Sequence, residues 1–326
     1  RWRSRVEIPL PNNEQDDRFF LQEMRDLTER LRPDSQLGQY VLRERVGVGG
    51  MGAVFRAEDT TSGDLVAIKA LVPPKQRRQV DTLARFRVQA ALLAGLRHES
   101  VVSIRDIGRH ADICYLVMDL VLGPEEGPVS LQEYANWFEG MVAPSEVLEL
   151  FDLLLKAFGH FHAHKIVHGN IKPQNVLLNC VSRTEETWEA KVVLSDFGLS
   201  RIMGTDFVVE SVRKTVQAKD ARSATVTRRA LPPDAKAILQ SYDYMSPEQR
   251  KGQGSSRRSD VFSLGLMFLH LLTGKKVIGF QPPSKICPGI DSDWDTFILR
   301  ATAQNKSRRF RSITEMHEAL KRLRCS

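Results

Sequence analysis

Apolar and polar residues follow two different periods along this chain. Alternation between positions 40 and 58 predicts β-strands, and short apolar runs predict further strands at 101–104, 113–118, 176–178 and 192–194. Helical spacing replaces this alternation in several other segments. The helices that it predicts are 80–97, 131–138, 144–164 and 313–324, together with a buried helix at the apolar stretch 261–272.

The first residues of the chain are patterned differently from the rest. Residues 1–11 have no period and predict a linker, and Pro33 ends an amphipathic helix predicted for 14–31. We therefore assign 1–37 to an N-terminal linker and helix. This helix either packs its apolar stripe against its own chain or pairs with a second copy in a dimer. The stripe consists of Phe20, Met24, Leu27 and Leu31.

Composition indicates a soluble globular protein, because 42% of the 326 residues are hydrophobic and 27% are charged. Four cysteines lie far apart without a C-x-x-C pair, which argues for a reducing compartment, so we expect a cytoplasmic location. The apolar stretch 261–272 is too short to span a bilayer. Because the sequence begins with Arg1, we expect a fragment, such as the cytoplasmic domain of a larger protein, with any membrane link outside it.

Positive charge is in surplus, with a formal net charge of +7 and an isoelectric point of about 9.3. Two interpretations stay open: an acidic partner, anionic lipid or nucleic acid on the one hand, and a solvated surface with a phosphate-binding cleft on the other. Basic and aromatic residues do not interleave along the sequence, so we expect no nucleic-acid binding.

A glycine-rich turn lies between two predicted strands. Gly47, Gly49 and Gly52 are spaced as G-x-G-x-x-G, which also marks dinucleotide folds, where it joins a strand to a helix. Here β-favouring residues such as Val54 lie on both sides, which favours a strand-turn-strand flap over nucleotide phosphates. Glycines suit this flap because a backbone without Cβ atoms can approach phosphate oxygens closely. Lys69 on the following strand would place a cation against the same phosphates.

Polar residues also stand at fixed offsets in the middle of the chain. Segment 167–175 reads Val-His-Gly-Asn-Ile-Lys-Pro-Gln-Asn, and Asp-Phe-Gly follows at 196–198. Asn175 and Asp196 offer hard oxygen ligands. A Mg²⁺ ion that bridges phosphates typically takes one or two such ligands from a protein. Asn175 and Asp196 are therefore candidate ligands of a divalent metal.

In this order the motifs resemble those of a protein kinase, and the bacterial type of Ser/Thr kinase in particular. The family has His-Arg-Asp-x-Lys-Pro-x-Asn at 168–175, and Ser-Pro-Glu at 246–248 resembles its Ala-Pro-Glu. The resemblance implies an α+β, two-lobed protein-kinase fold, with a small β-rich N-lobe holding one long helix and a larger helical C-lobe. ATP with Mg²⁺ or Mn²⁺ is the implied ligand. The implied segments are 38–121 for the N-lobe and hinge, 122–326 for the C-lobe, and 196–248 for an extended activation segment.

The resemblance also implies roles for single residues. Met118 would be the gatekeeper, Asp119 to Val121 the hinge, and Lys172 marks a catalytic loop of the Ser/Thr type. Glu248 is expected to pair with Arg309. The residues assigned to nucleotide binding are Gly47, Gly49, Gly52, Val54, Ala67, Lys69, Gln89, Met118, Asp119, Val121 and Leu177.

Three positions depart from the family pattern. Gly169 replaces an Arg, Asn170 stands where the family keeps its catalytic Asp, and Gln89 replaces the Glu that pairs with the strand lysine. An amide has a similar shape to a carboxylate but no basicity at neutral pH. We expect Lys69 to be held more loosely than in the family, because glutamine brings no charge.

Three functions fit this sequence. The first is an ATP-binding pseudokinase with weak or no phosphotransfer, acting as a regulatory or scaffolding module. The second is a Ser/Thr protein kinase, either slow or deliberately inactivated by an Asp-to-Asn change. A third, an interaction module without nucleotide, fits less well because the nucleotide-binding residues are retained.

Overall fold

A computed structural model of the chain describes residues 27, 29–49, 52–71, 98–111, 113–123, 129–138, 141–183, 188–196, 240–275 and 282–324. Within them, a six-stranded sheet forms a small lobe, and helices around a three-stranded sheet form a larger one. This arrangement confirms the predicted α+β, two-lobed architecture. The long helix predicted at 80–97, which includes Gln89, lies outside the described residues, and the predicted lobe boundaries stay predictions.

The small lobe is a single antiparallel sheet whose register aligns several predicted site residues. Val54 lies opposite Lys69, and Ala67 lies opposite Met118. Residues directly opposite in an antiparallel pair share a face, as do residues two apart on one strand, so these four side chains lie on the same face. The strands are Gln36–Leu37 (β1), Tyr40–Gly49 (β2), Gly52–Asp59 (β3), Leu65–Leu71 (β4), Ile104–His110 (β5) and Ile113–Asp119 (β6), in the order β1-β2-β3-β4-β6-β5.

The glycine-rich turn joins β2 and β3, and Gly49 pairs with Gly52 at its base. A Cβ atom at Gly52 would lie 2.0 Å from the carbonyl oxygen of Ala70 on β4, so a larger residue does not fit there. A Cβ at Gly47 would meet nothing within 4 Å. Gly52 is therefore needed for strand packing, a reason that the sequence pattern did not reveal.

The end of the predicted N-terminal helix packs into the small lobe of its own chain. Leu27 and Leu31 are buried in one cluster with Leu42 and Phe55 of the sheet. For these two residues, the structure agrees with packing against the same chain. Phe20 and Met24 lie outside the described residues.

The larger lobe is organised around one buried helix, Arg257–Thr273, in which every residue from Ser259 to Thr273 is buried. Aromatic and aliphatic side chains from the neighbouring helices pack around it, which confirms the buried helix predicted from the apolar stretch. No helix among the described residues is long and apolar enough to cross a bilayer. The α-helices are Leu131–Trp137 (α1), Pro144–Ala163 (α2), Pro247–Arg250 (α3), Arg257–Thr273 (α4), Ser292–Ala301 (α5) and Ile313–Leu320 (α6); the strands are Val129–Ser130 (β7), Val176–Arg183 (β8) and Trp188–Leu194 (β9).

The strand predicted at 101–104 is wrong in its position. Val101 forms an isolated bridge to Leu194, and the strand in this region, β5, begins at Ile104. β5 lies at the edge of the sheet, where charged residues such as Arg105 and Asp106 are exposed, so its polar sequence gave no apolar run. The apolar pair Val101 and Val102 is instead buried beside the larger lobe.

Candidate functional site

A cavity of about 290 Å³ is lined by residues of both lobes. It gathers most of the predicted site residues, from strands β2, β3, β4, β6 and β8, from the segment after β6, and from the loops before β8 and after β9. Gly49, Gly52 and Asn170 are not part of its lining, and Gln89 lies outside the described residues. The predicted residues that line it are Gly47, Val54, Ala67, Lys69, Met118, Asp119, Val121, Lys172, Asn175, Leu177 and Asp196.

One end of the cavity is apolar and lies beside the segment predicted as the hinge. Ala67 and Met118 are buried there and belong to the same cluster as Val121. The N–H of Asp119 donates to the carbonyl of Ser103 at 3.0 Å, and its carboxylate accepts from Arg105 Nε at 2.5 Å. The backbone N–H and the carboxylate of Asp119 thus both have partners within the protein. A ligand would contact other backbone groups of the hinge.

The other end of the cavity holds an ion pair. Lys69 Nζ lies 2.5 Å from Asp196 Oδ1, and Lys69 is 3% exposed. Burial alone would raise the pKa of Asp196, but the neighbouring Lys69 ammonium outweighs burial, and the pKa lies below its ordinary value. Asp196 therefore carries its negative charge at neutral pH. The expectation that Lys69 is held loosely was incomplete, because Asp196 supplies an anionic partner that we had not assigned to it.

The loop 168–175 is anchored on the buried helix α4. Asp260 accepts from the backbone N–H groups of His168, at 3.0 Å, and Gly169, at 2.9 Å. His162 Nε2 lies 2.9 Å from the same carboxylate. Gly169 has a φ of +74°, which glycine adopts without strain. The loop is thus fixed by main-chain contacts that do not depend on the residue at 170.

Asn170 itself is tied down through its backbone. Its N–H donates to His168 Nδ1 at 3.3 Å, and its carbonyl accepts from Asn175 Nδ2 at 2.8 Å. Burial lowers the pKa of His168, so its ring is neutral and Nδ1 can accept. Because Asn175 Nδ2 is engaged, Oδ1 is the amide oxygen that remains for a cation.

Lys172 connects this loop to the segment before α3. Its Nζ donates to Ser241 Oγ at 2.9 Å, and both residues are buried. Gln249 makes a second connection, because its Nε2 donates to the carbonyl of Gly169 at 2.8 Å. The residues between 240 and 250 are therefore held against the loop by two side chains.

Glu248 and Arg309 form the ion pair that the resemblance implied. Arg309 donates from Nη1 to Oε1 at 2.7 Å and from Nη2 to Oε2 at 2.8 Å, and the guanidinium is fully buried. Burial alone would raise the pKa of Glu248, but hydrogen bonds from Arg309 outweigh it and lower the pKa to about 2. This bidentate pair confirms the prediction for these two residues.

The donor set of the cavity suits a hard divalent cation. Asn175 and Asp196 both line it and offer oxygen atoms, the ligands that Mg²⁺ and Mn²⁺ prefer. The same two residues carry the metal site predicted from sequence, which stays a prediction.

Several residues that line the cavity were missed in the sequence. Ser130 and Glu133 form a capping box at the start of α1, in which Ser130 N–H donates to Glu133 Oε2 at 2.8 Å. The Ser-x-x-Glu spacing was visible in the sequence, but it indicates a helix start and not a cavity wall. Gln174 and Gln240 also line the cavity, and no pattern in the sequence singled them out.

Comparison with known families and proteins agrees with this geometry. A family model described as a protein kinase domain matches residues 40–323. The serine/threonine-protein kinase PrkC of Bacillus subtilis (strain 168) is 29% identical over 299 residues, which cover 87% of this chain and 40% of PrkC. PknB of Mycobacterium tuberculosis (strain ATCC 25618 / H37Rv) is 28% identical over 310 residues, which cover 89% of this chain and 44% of PknB. The chain thus spans about two fifths of these curated relatives.

A solved structure shares the fold. The crystal structure of the Mycobacterium tuberculosis PknI kinase domain superposes with a TM-score of 0.61 at 21% sequence identity. The match covers 89% of this chain and 98% of that domain.

Proposed function

The chain belongs to the protein kinase domain family, and from this premise we propose that it binds ATP, transfers phosphate weakly or not at all, and acts as a regulatory or scaffolding module. One observation supports the proposal above all others. The cavity presents Lys69, Asn175 and Asp196 together, whereas the position of the catalytic base holds the neutral Asn170.

ATP fits the chemistry of the two ends of the cavity. The apolar end near Ala67, Met118 and Leu177 suits a purine ring, and the hinge backbone suits its hydrogen-bonding edge. Lys69 at the other end would neutralise phosphate charge. Asn175 and Asp196 would hold Mg²⁺ or Mn²⁺, which supplies charge neutralisation for the phosphates when bound.

Weak transfer follows from the chemistry of Asn170. Phosphoryl transfer depends on positioning and electrostatics, and a carboxylate usually orients the substrate hydroxyl and takes its proton. An amide cannot accept that proton, and the loss of a positioned base typically costs ~10²–10⁴ in rate. Main-chain contacts to Asp260 keep the loop in place despite this loss, which suits a binding module.

A thermal-shift and calorimetric titration with ATP tests the binding claim. ATP with Mg²⁺ at 100 times its dissociation constant should stabilise the fold by about 2.7 kcal/mol. Lys69→Met should abolish most of this effect, whereas Lys285→Met, an exposed lysine away from the cavity, should leave it unchanged. Millimolar ATP that gave neither a shift nor heat would remove the proposal.

The second candidate is a working Ser/Thr protein kinase that phosphorylates protein hydroxyls. The contact between Lys172 and Ser241 favours it, because it keeps a cation beside the place where a substrate would bind. The relatives named above are also described as serine/threonine-protein kinases. Radiolabelled transfer to a generic basic protein by the unmodified chain, abolished by Asp196→Ala, would select this candidate.

We extend the proposal to partners and location. We propose a protein partner or substrate, possible pairing of two copies through the N-terminal helix, no nucleic acid, and a cytoplasmic site of action. The wide spacing of the four cysteines, without a C-x-x-C pair, supports a reducing compartment.

A further inference from the structure

Two segments of the larger lobe carry many cations and no carboxylates. Residues 249–258 and 303–309 contain seven Lys and Arg and no Asp or Glu. Arg309 is buried, and Arg250 donates to the backbone carbonyls of Tyr242 and Asp243. The other five lie at the surface, exposed or half-buried, and are called the basic patch here: Lys251, Arg257, Arg258, Lys306 and Arg308.

The patch is one preformed surface because its two segments are tied together. Arg309 pairs with Glu248 just before the first segment and also donates to the carbonyl of Arg258 at 2.8 Å. Arg258 in turn donates to the carbonyl of Lys306 at 3.2 Å. A partner would therefore meet cations whose backbone is already held, which reduces the ordering cost of binding.

The charge of the patch is not balanced within the part of the chain that the structure describes. None of the five side chains pairs with a carboxylate there, and Glu248, next to the first segment, is engaged by Arg309. Like charges that lie close together repel each other and lower the stability of the fold. An anion from a binding partner would neutralise this repulsion. None of the five residues lines the nucleotide cavity, so ATP does not supply that anion.

The surroundings of the patch distinguish between anionic partners. Nucleic-acid strands are commonly held by exposed aromatic rings, but the aromatic residue beside the second segment, Phe310, is 1% exposed. Binding to a membrane surface combines cations with exposed apolar side chains, and neither segment carries an exposed large hydrophobic residue. An acidic peptide needs charge complementarity alone.

We propose that the basic patch docks an acidic segment of a protein partner onto the larger lobe. This function goes beyond nucleotide binding and does not depend on it. The first segment of the patch begins in α3, whose preceding residues contact the loop 168–175 through Lys172 and Ser241.

Fluorescence anisotropy with the full chain tests the proposal. The probe is a fluorescein-labelled peptide of alternating Glu and Ser, titrated at low and at raised ionic strength. The patch variant is Arg257→Gln, Lys306→Gln and Arg308→Gln combined. The matched control removes the same charge elsewhere on the larger lobe by Lys275→Gln, Lys285→Gln and Arg322→Gln, all of which are exposed.

The patch variant should bind the peptide about tenfold more weakly, since three exposed charge contacts are lost, and the control should bind as the unmodified chain does. Both variants alter surface side chains, and an unchanged melting temperature verifies their folding. Equal losses in both variants, or no peptide binding by the unmodified chain at low salt, would overturn the proposal. Patch-dependent binding of oligothymidylate or phosphatidylserine vesicles in place of the peptide would overturn it as well.

Discussion

Lys69 and Asp196 form an ion pair of 2.5 Å at the end of the cavity opposite the hinge. The same carboxylate is the predicted ligand of a divalent metal, so a cation and the lysine ammonium share one anion. When a cation binds Asp196, the buried Lys69 needs another partner. In the proposed complex the phosphates of a nucleotide would be that partner, which would couple metal binding to nucleotide binding.

This coupling predicts the effect of Asp196→Asn on ATP affinity. With Mg²⁺ present the affinity should fall about tenfold or more, because a charged ligand of the cation is lost. Without metal the affinity should stay equal or rise, because Lys69 is released toward the phosphates. Isothermal titration calorimetry in both buffers measures the two values. Asp64→Asn serves as the control, since that exposed carboxylate pairs with Arg105 outside the cavity, and an equal loss with and without metal would contradict the coupling.

The pairing of Asp196 with Lys69 was not predictable from sequence patterns. A motif assigns a role to each residue separately, and Lys69 was matched only to Gln89, which stands at the position of the family's glutamate. The distance between Lys69 and Asp196 depends on how β4 meets the loop after β9, which local patterns do not encode. Most of the residues assigned to the site do line one cavity, because they come from ordered motifs with fixed spacing.

Local sequence patterns gave an incomplete or wrong prediction where a residue's role depends on tertiary packing. Gly52 looked like a phosphate contact, yet a Cβ there would collide with the carbonyl of Ala70 on a neighbouring strand. The edge strand β5 was missed because its exposed positions are polar, and apolar periodicity reports only buried faces. Glu133 carried a visible helix-start signal, but its place in the cavity wall results from the packing of α1 against the larger lobe.

The Glu248–Arg309 pair predicts a large stability effect. Glu248→Gln should lower the free energy of unfolding by about 3 kcal/mol, because it leaves the buried guanidinium without a counter-charge. Urea denaturation followed by circular dichroism measures the change. Glu318→Gln removes an exposed pair with Lys321 and should cost far less, because solvent screens that pair. Similar losses in the two variants would mean that the buried pair contributes no more than a surface one.

The same pair predicts how stability depends on pH. The pKa of Glu248 is about 2 in the folded chain and 4.5 ordinarily, so the folded carboxylate stays charged where the unfolded one takes up a proton. Its contribution is therefore complete above pH 4.5 and is lost as the pH falls toward 2. Urea midpoints measured across this range should fall more steeply for the unmodified chain than for Glu248→Gln. Parallel curves would show that another group is responsible.

Phosphorylation of the predicted activation segment should not switch on transfer. Protein kinases use an Arg before the catalytic Asp to clamp a phosphorylated segment, and this chain has Gly169 there, so the charge-assisted pair cannot form. Glu substitutions at Thr215, Thr225 and Thr227, which lie outside the described residues, should leave the rate of radiolabelled transfer within about twofold. A rise of tenfold or more would contradict the role assigned to Gly169.

Repair of the catalytic loop separates the two candidate functions. If Asn170 is the single obstacle in an otherwise working kinase, Asn170→Asp alone should raise transfer by ~10² or more, since a positioned base contributes that much. In a natural pseudokinase the single change should recover little, because Gln89 brings no charge to Lys69 and Asp196 has to serve both the lysine and a metal. Adding Gln89→Glu should then raise the rate by more than the product of the two single effects, because catalytic groups that act together are not additive.

The assay for this repair is radiolabelled transfer to a generic basic protein and to the chain itself. Each repaired variant is compared with a version that also carries Asp196→Ala, which removes the predicted metal ligand and should return the rate to background. ATP binding is measured in parallel, so that a failed repair can be told apart from lost nucleotide affinity. A full gain from Asn170→Asp without Gln89→Glu would reject the pseudokinase. A gain that needs both changes would support it, because it means that the natural sequence lacks two coupled charges.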